Sequence, residues 1–341
     1  MGFLVLGDLF YGYDYIADDI FELSEYIKEK NLCVILNLEG AITQNKSVLI
    51  KKRGEHLAQS IKIIEVLKLL NVKGVSLSNN HIYDFGEQGL KDTIETLNAN
   101  GIKHCGAGLT KIDALKPMVI ENDGMKFAFY GATDPFEESV CSHGDAGCLN
   151  ISDLSLDNDF QEKDIKKIAL LHTGFEYNTL PNPRTIEECH NFIDIGFDAV
   201  ICSHPHITQP YETYNKKYIY YSLGNFYFST DRDEFQEKNI YEKKEGYCNI
   251  GLGVIINSDG YKTVGINYDP IEKKSFFDES INPAQFEYEY KNSMYKKIYM
   301  KNRNNYNPML TGDLCKDNIK MSLLNTVYKI YGIVRIFIPK K

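Results

Sequence analysis

The segment Phe3-Leu4-Val5-Leu6-Gly7-Asp8 sets an apolar run directly against an acidic side chain, and the same pattern returns four more times along the chain. Cys33-Val34-Ile35-Leu36 leads into Asn37-Leu38-Glu39-Gly40, and Val75-Ser76-Leu77 into Ser78-Asn79-Asn80-His81. Ile168-Ala169-Leu170-Leu171 leads into His172-Thr173-Gly174-Phe175-Glu176, and Ala199-Val200-Ile201-Cys202 into Ser203-His204-Pro205-His206. Short apolar runs bounded by turn residues read as strands, and unbroken runs as strands covered on both faces. Amphipathic stretches at residues 16–28, 58–70, 87–99 and 187–195 lie between them and predict helices. Strands alternating with helices predict a layered α/β domain.

Two hairpins follow from turn chemistry. Asn122-Asp123-Gly124 joins apolar runs at 118–120 and 127–130, and Asn257-Ser258-Asp259-Gly260 joins runs at 253–256 and 262–266. The core sheet is therefore expected to continue to about residue 270, giving one domain over 1–270. Residues 271–341, rich in Lys, Asn, Tyr and Glu, read as a peripheral extension. Its last part, 320–341, carries the spacing of a basic amphipathic helix, which allows peripheral contact with an anionic membrane or docking on the core. Residues 231–246 read as an exposed charged loop.

In an open α/β sheet the carboxyl ends of the strands share one edge, so the polar residues that close these five runs can meet in one crevice. Asp8 and Glu39 offer carboxylates, Asn80 an amide oxygen, and His172, His204 and His206 imidazoles. That mixture suits one or two divalent transition metal ions such as Mn, Zn or Fe; Mg and Ca prefer oxygen throughout. The absence of a Cys ligand points to a catalytic site rather than a structural one. His204 and His206, two apart in an extended segment, would place both rings on one side.

Composition closes off other classes. At 341 residues, 43% hydrophobic and 25% charged, the chain is long enough and apolar enough to bury a core. Its 38 basic against 47 acidic residues give a net charge of -9, a poor footprint for coating nucleic acid. The eight cysteines form no Cys-x-x-Cys pair and read as reduced thiols; Cys33, Cys105 and Cys202 sit in apolar runs, and Cys141 and Cys148 flank His143 in a Gly-rich loop that could hold zinc. No run reaches the length of a membrane-spanning helix, and the amino terminus lacks the basic and apolar segments of a signal peptide, so a cytoplasmic location is expected, with any membrane contact peripheral at the inner face.

Together, Gly7-Asp8, Asn37-Leu38-Glu39-Gly40, Ser78-Asn79-Asn80-His81 with Asp84-Phe85-Gly86 and Gly89-Leu90, His172-Thr173-Gly174-Phe175-Glu176-Tyr177, Ser203-His204-Pro205-His206, Gln209-Pro210 with Glu212, and Tyr220-Tyr221-Ser222-Leu223-Gly224-Asn225-Phe226 resemble the bacterial poly-gamma-glutamate capsule biosynthesis proteins of the CapA type. That family is similar in fold to the calcineurin-like metallophosphoesterases, and the resemblance spans residues 3–228. It implies a four-layer α/β/β/α sandwich of the metallophosphoesterase type and the same six metal ligands, with Glu39 bridging if two ions bind. It also implies that His81 is the general acid. Two departures stand out: Phe10 occupies the place of the superfamily's Asp-x-His histidine, and Ser203 replaces a glycine.

Asp84 either caps the following helix or holds His81 in its tautomer, a role tied to catalysis. Glu176, Gln209, Glu212 and Asn225 are candidate substrate groups, and Lys51, Arg53 and Arg184 candidate cations for an anionic substrate. The activity expected is metal-dependent hydrolysis of a phosphoester in capsule or cell-surface polymer biosynthesis. An amide hydrolase acting on poly-gamma-glutamate and a non-catalytic scaffold of a capsule-synthesis complex stay open as alternatives.

Overall fold

A computed structural model of the chain describes residues 2–52, 55–134, 146–156, 165–229, 250–269, 272–281, 283–287, 289–291 and 293–306. The expected loop at 231–246, the terminal helix at 320–341, and Arg53, Cys141 and His143 lie outside the described residues. The first half runs β1 (Gly2–Phe10), α1 (Asp18–Glu29), β2 (Leu32–Leu38), α2 (Ile63–Leu69), β3 (Val72–Ser76), α3 (Gly86–Ala99) and β4 (Lys103–Cys105). Then come β5 (Ala107–Gly108), α4 (Lys111–Leu115), β6 (Met118–Asn122), β7 (Met125–Thr133), β8 (Gly147–Cys148), β9 (Ile165–His172), α5 (Pro183–Asp194) and β10 (Ala199–Ser203). The rest is β11 (Tyr211–Tyr214), β12 (Lys217–Tyr220), β13 (Asn225–Phe228), β14 (Ile250–Asn257), β15 (Gly260–Asp269), β16 (Lys274–Asp278) and α6 (Ser293–Tyr306).

The strands form two main mixed sheets. One has the order β16-β15-β14-β1-β2-β3-β4, with β13 pairing the end of β1; the other has the order β11-β12-β10-β9-β7-β6. The strands whose ends were singled out above, β1, β2, β3, β9 and β10, run parallel to their partners within each set. Both expected hairpins are present, as β6–β7 and β14–β15.

Alternation along β1 sets the layering. Phe3 and Val5 join Ile35, Phe127, Phe129, Ile168, Leu170 and Ile201 in a buried cluster drawn from both sheets. Leu4 and Leu6 join Ile20, Leu23 and Ile27 of α1, Val66 and Leu67 of α2, and Leu90 and Leu97 of α3. Both faces of β1 are therefore buried, as its unbroken apolar run requires. On the far side of the second sheet, Ala169, Leu171, Val200 and Cys202 pack on Ile186, Cys189, Phe192 and Ile193 of α5. That helix starts on a built cap: Asn182 accepts the Thr185 N–H, and Pro183 opens the first turn.

The stretch beyond 270, peripheral by composition, contributes to this core. β16 extends the first sheet, and Tyr295 and Tyr299 of α6 are buried in the α5 cluster. A tyrosine-rich segment lacks a clean apolar period, yet each ring buries a large surface once its hydroxyl finds an acceptor, as Tyr295 does on the Pro181 carbonyl.

One glycine determines how Asp8 is delivered. A Cβ on Gly7 would stand 1.9 Å from the Gly224 carbonyl oxygen, so β1 can approach the 222–225 turn only without a side chain there. The next residue's N–H then donates to that same carbonyl at 3.2 Å, which brings Asp8 beside Asn225. Gly7→Ala is expected to destabilise the protein by more than about 2 kcal/mol through overpacking against backbone. Denaturant unfolding measures it, and a loss within about 0.5 kcal/mol would contradict the close approach.

Candidate metal centre

At the strand ends the sequence-predicted donors come together. Asp8 and Glu39 are fully buried, and oxygen or nitrogen atoms of Asp8, Glu39 and His172 all lie within 4.8 Å of one another. His172 Nε2 is 2.9 Å from Asn80 Oδ1 and 3.1 Å from His204 Nδ1. His206 Nε2 and His81 Nε2 each lie 3.9 Å from Glu39 Oε1. All six expected ligands thus share one crevice.

The paired histidines reach it by a route the sequence did not indicate. They do not sit in an extended segment: His204 has φ 102° and His206 φ 58°, left-handed values that L side chains adopt at a cost. The turn is held from three sides. The His204 N–H donates to Asp8 Oδ2 at 3.1 Å, the Thr173 N–H to the Ser203 carbonyl, and the Tyr177 N–H to the Pro205 carbonyl. Ser203 ends β10 in ordinary strand geometry, so the strain falls on His204 and His206. The rings consequently diverge, His204 toward His172 and His206 toward Asn225 Oδ1 at 2.9 Å.

Asn37 was absent from the candidate ligands. It donates to Asp8 Oδ1 at 2.7 Å and faces His172 Nδ1 at 3.3 Å, leaving Nε2 of that ring turned toward Asn80 and His204. Its position at the end of β2, two residues before Glu39, was the available signal. Asn79, the neighbour of Asn80, serves the backbone instead: its amide donates to the Leu38 carbonyl at 2.8 Å and its oxygen accepts the His81 N–H at 3.2 Å.

His81 and Asp84 form a second set. Asp84 Oδ2 lies 2.8 Å from His81 Nδ1 and accepts the Leu57 N–H at 2.7 Å. The cation beside them is Lys52: its side chain is 5% exposed, paired with the Asp84 carboxylate, and its Nζ is 2.9 Å from His81 Nδ1. Lys51 is exposed and Arg184 binds Asp134 and Glu188. Nothing in the Lys51-Lys52-Arg53 run distinguishes its middle member; burial does.

Of the candidate substrate groups, Asn225 adjoins the centre. Gln209 is a buried brace donating to the Asn178 and Leu180 carbonyls, Glu212 is held by His190 and Tyr221, and Glu176 is exposed in the loop after β9.

Burial dominates the electrostatics. It raises the Asp8 pKa above 3.8, against the pull of His206 and the hydrogen bonds from Asn37 and His204. It lowers His172 well below 6.5, helped by repulsion from His204, His206 and His81, and lowers His81 despite Asp84. Neutral imidazoles carry the free lone pair a cation needs.

A family model described as bacterial capsule synthesis protein PGA_cap matches residues 5–230, the span that contains every donor named above. The PGA biosynthesis protein CapA of Bacillus subtilis is 30% identical over 217 residues, covering 62% of this chain and 57% of that protein. The capsule biosynthesis protein CapA of Bacillus anthracis is 30% identical over 229 residues, covering 64% and 54%. The chain spans just over half the length of these relatives. Among solved structures, NAD nucleotidase of Haemophilus influenzae aligns at 13% identity and a TM-score of 0.47, over 90% of this chain and 60% of that one.

Two outcomes follow from the geometry. Lys52→Met leaves the Asp84 carboxylate buried without its ion pair and is expected to cost about 3–5 kcal/mol in denaturant unfolding. Lys51→Met, on the surface, should cost under about 0.5 kcal/mol, and equal losses would refute the assignment. For the metal-free protein, the unfolded chain takes up imidazole protons near pH 6.5 whereas folded His172 does so only at lower pH. The unfolded state therefore binds more protons below about 6.5, and stability falls as pH drops through that window. Asp8, shifted upward, acts in the opposite sense above 3.8. The fall in melting temperature from pH 7 to 5.5 should be smaller in His172→Ala, and an unchanged fall would assign it to other groups.

Proposed function

The chain belongs to the bacterial capsule synthesis protein family PGA_cap, and from that membership and its buried donor set we propose a metal-dependent hydrolase that cleaves a phosphoester in capsule or cell-surface polymer biosynthesis. The observation that carries this reading is the meeting of Asn80 Oδ1, His172 Nε2 and His204 Nδ1 beside two fully buried carboxylates. The donor chemistry fits a divalent ion: Glu39, Asp8, Asn80 and the three histidines mix hard oxygen with imidazole nitrogen, as Mn, Zn or Fe sites do. Such an ion supplies Lewis-acid polarisation of a phosphoryl group and acidifies an attacking water. We also read the two sheets with their flanking helices as the four-layer α/β/β/α sandwich, and the protein as a component of a capsule-synthesis complex.

The chain's own residues supply orientation and the proton. His81 presents Nε2 to the Glu39 side of the crevice, while Asp84, itself paired with Lys52, holds the ring at Nδ1. A departing alkoxide needs a proton, and His81 Nε2 is placed to give it from the imidazolium form, which the Asp84 hydrogen bond favours against burial. Arg184, partly exposed and tied to Asp134 whose carboxylate also accepts from Thr173 beside His172, is one candidate cation for an anionic substrate.

The Bacillus subtilis relative is named for PGA biosynthesis, and a second reading keeps the same site as a hydrolase of an amide-linked glutamate polymer. Metal-reconstituted protein offered a chromogenic phosphodiester and poly-gamma-glutamate separates the two. Phosphodiester turnover abolished by chelation is expected. His81→Ala should lose about 100-fold to 10,000-fold in turnover while keeping its metal, and His172→Ala should lose metal. Cleavage of the polymer alone selects the amide reading; no hydrolysis of either substrate with metal bound selects a scaffold.

A further inference from the structure

The donors around Glu39 fall into two unequal groups. Around His172, Asp8 and Glu39 each offer an oxygen within 4.8 Å, and Asn80 Oδ1 and His204 Nδ1 stand 2.9 and 3.1 Å from its Nε2. On the other side stands His206 alone, 3.8 Å from Asp8 and 3.9 Å from the same Glu39. Asp8 is already engaged at both oxygens, by the Asn37 amide and the His204 N–H. His206 turns its Nδ1 to Asn225 Oδ1 and its Nε2 to Glu39, 3.9 Å away.

What borders this second group is apolar. Phe10, two residues beyond Asp8, is in register with Phe228 on β13, as Asp8 is with Asn225. The two rings lie 5.4 Å apart and form, with Leu57, a small buried cluster of their own. Phe228 stands with its ring 5.0 Å from that of His206, and Tyr177 covers the same imidazole at 5.9 Å. Phenylalanine offers no lone pair, and a wall of this kind also excludes the waters that complete a poorly furnished coordination shell. Two dications close together repel, so each needs a full donor set.

We propose that the centre takes one tightly held divalent cation, seated among Asp8, Glu39, Asn80, His172 and His204, and that the Phe10–Leu57–Phe228 cluster denies a second cation its remaining donor. The inference rests on the reading of this crevice as a metal site.

Titration of the metal-free protein with Mn(II), followed by calorimetry and electron paramagnetic resonance, tests it without reference to turnover. The expected result is one ion per chain, bound at least about 100-fold more tightly than any other, with the six-line spectrum of an isolated Mn(II). Two ions of affinity within about 10-fold and an exchange-coupled spectrum would overturn the inference and leave the metal reading standing. Absence of binding, also with Zn(II) and Fe(II), would overturn both. Phe10→His is expected to add a second ion and a coupled spectrum; a folded Phe10→His that still binds one ion would refute the part given to Phe10. The wild-type titration decides the stoichiometry even if that variant fails to fold.

Discussion

Two carboxylates removed from water, Asp8 at the end of β1 and Glu39 just past the end of β2, are the constraint around which the rest of the molecule is arranged. An ionised carboxyl in a protein interior costs several kcal/mol unless charge and hydrogen bonds offset it. Asp8 receives two N–H donors, yet burial still pushes its pKa up. His172 does not provide the missing positive charge, because burial and the neighbouring imidazoles push its pKa well below 6.5. The nearby Lys52 is committed to Asp84. A divalent cation matches both the charge and the lone pairs, and this is the physical ground for the function proposed.

The backbone bears the cost of bringing these groups together. β1 passes the 222–225 turn at a distance that only Gly7 permits, and His204 adopts a left-handed conformation to turn its N–H onto Asp8 and its ring onto His172. Each is anchored by hydrogen bonds from separate elements, so the site is set by the fold rather than by a mobile loop. Its two flanks differ in kind, with amide and imidazole on the β3–β9 side and phenylalanine on the β13 side. The crevice is therefore polar at one end and apolar at the other.

The α/β class, both hairpins and the convergence of all six donors were legible because each rests on a local pattern: an apolar run, a turn pair, a polar residue at a strand end. Asn37 and Lys52 were not, since their importance comes from contacts across 29 residues in each case. The conformation at His204 was misread as extended because its left-handed turn depends on Asp8, 196 residues earlier. Gln209 and Glu212 looked like site residues by proximity in sequence, but strand direction after β10 carries them to backbone braces and to His190. The core contribution of α6 was hidden because tyrosine burial depends on partners such as the Pro181 carbonyl rather than on periodicity.

Family membership places the chain among capsule synthesis proteins, and the matched span holds the whole crevice. The central claim is that the strand ends hold a metal ion. Anomalous diffraction at the absorption edge of a reconstituting ion, measured on crystals of the protein, tests it most directly. The account predicts a peak about 2.0–2.3 Å from His172 Nε2 and a Glu39 oxygen. A map without a peak in the crevice, or with the ion bound elsewhere, would contradict it.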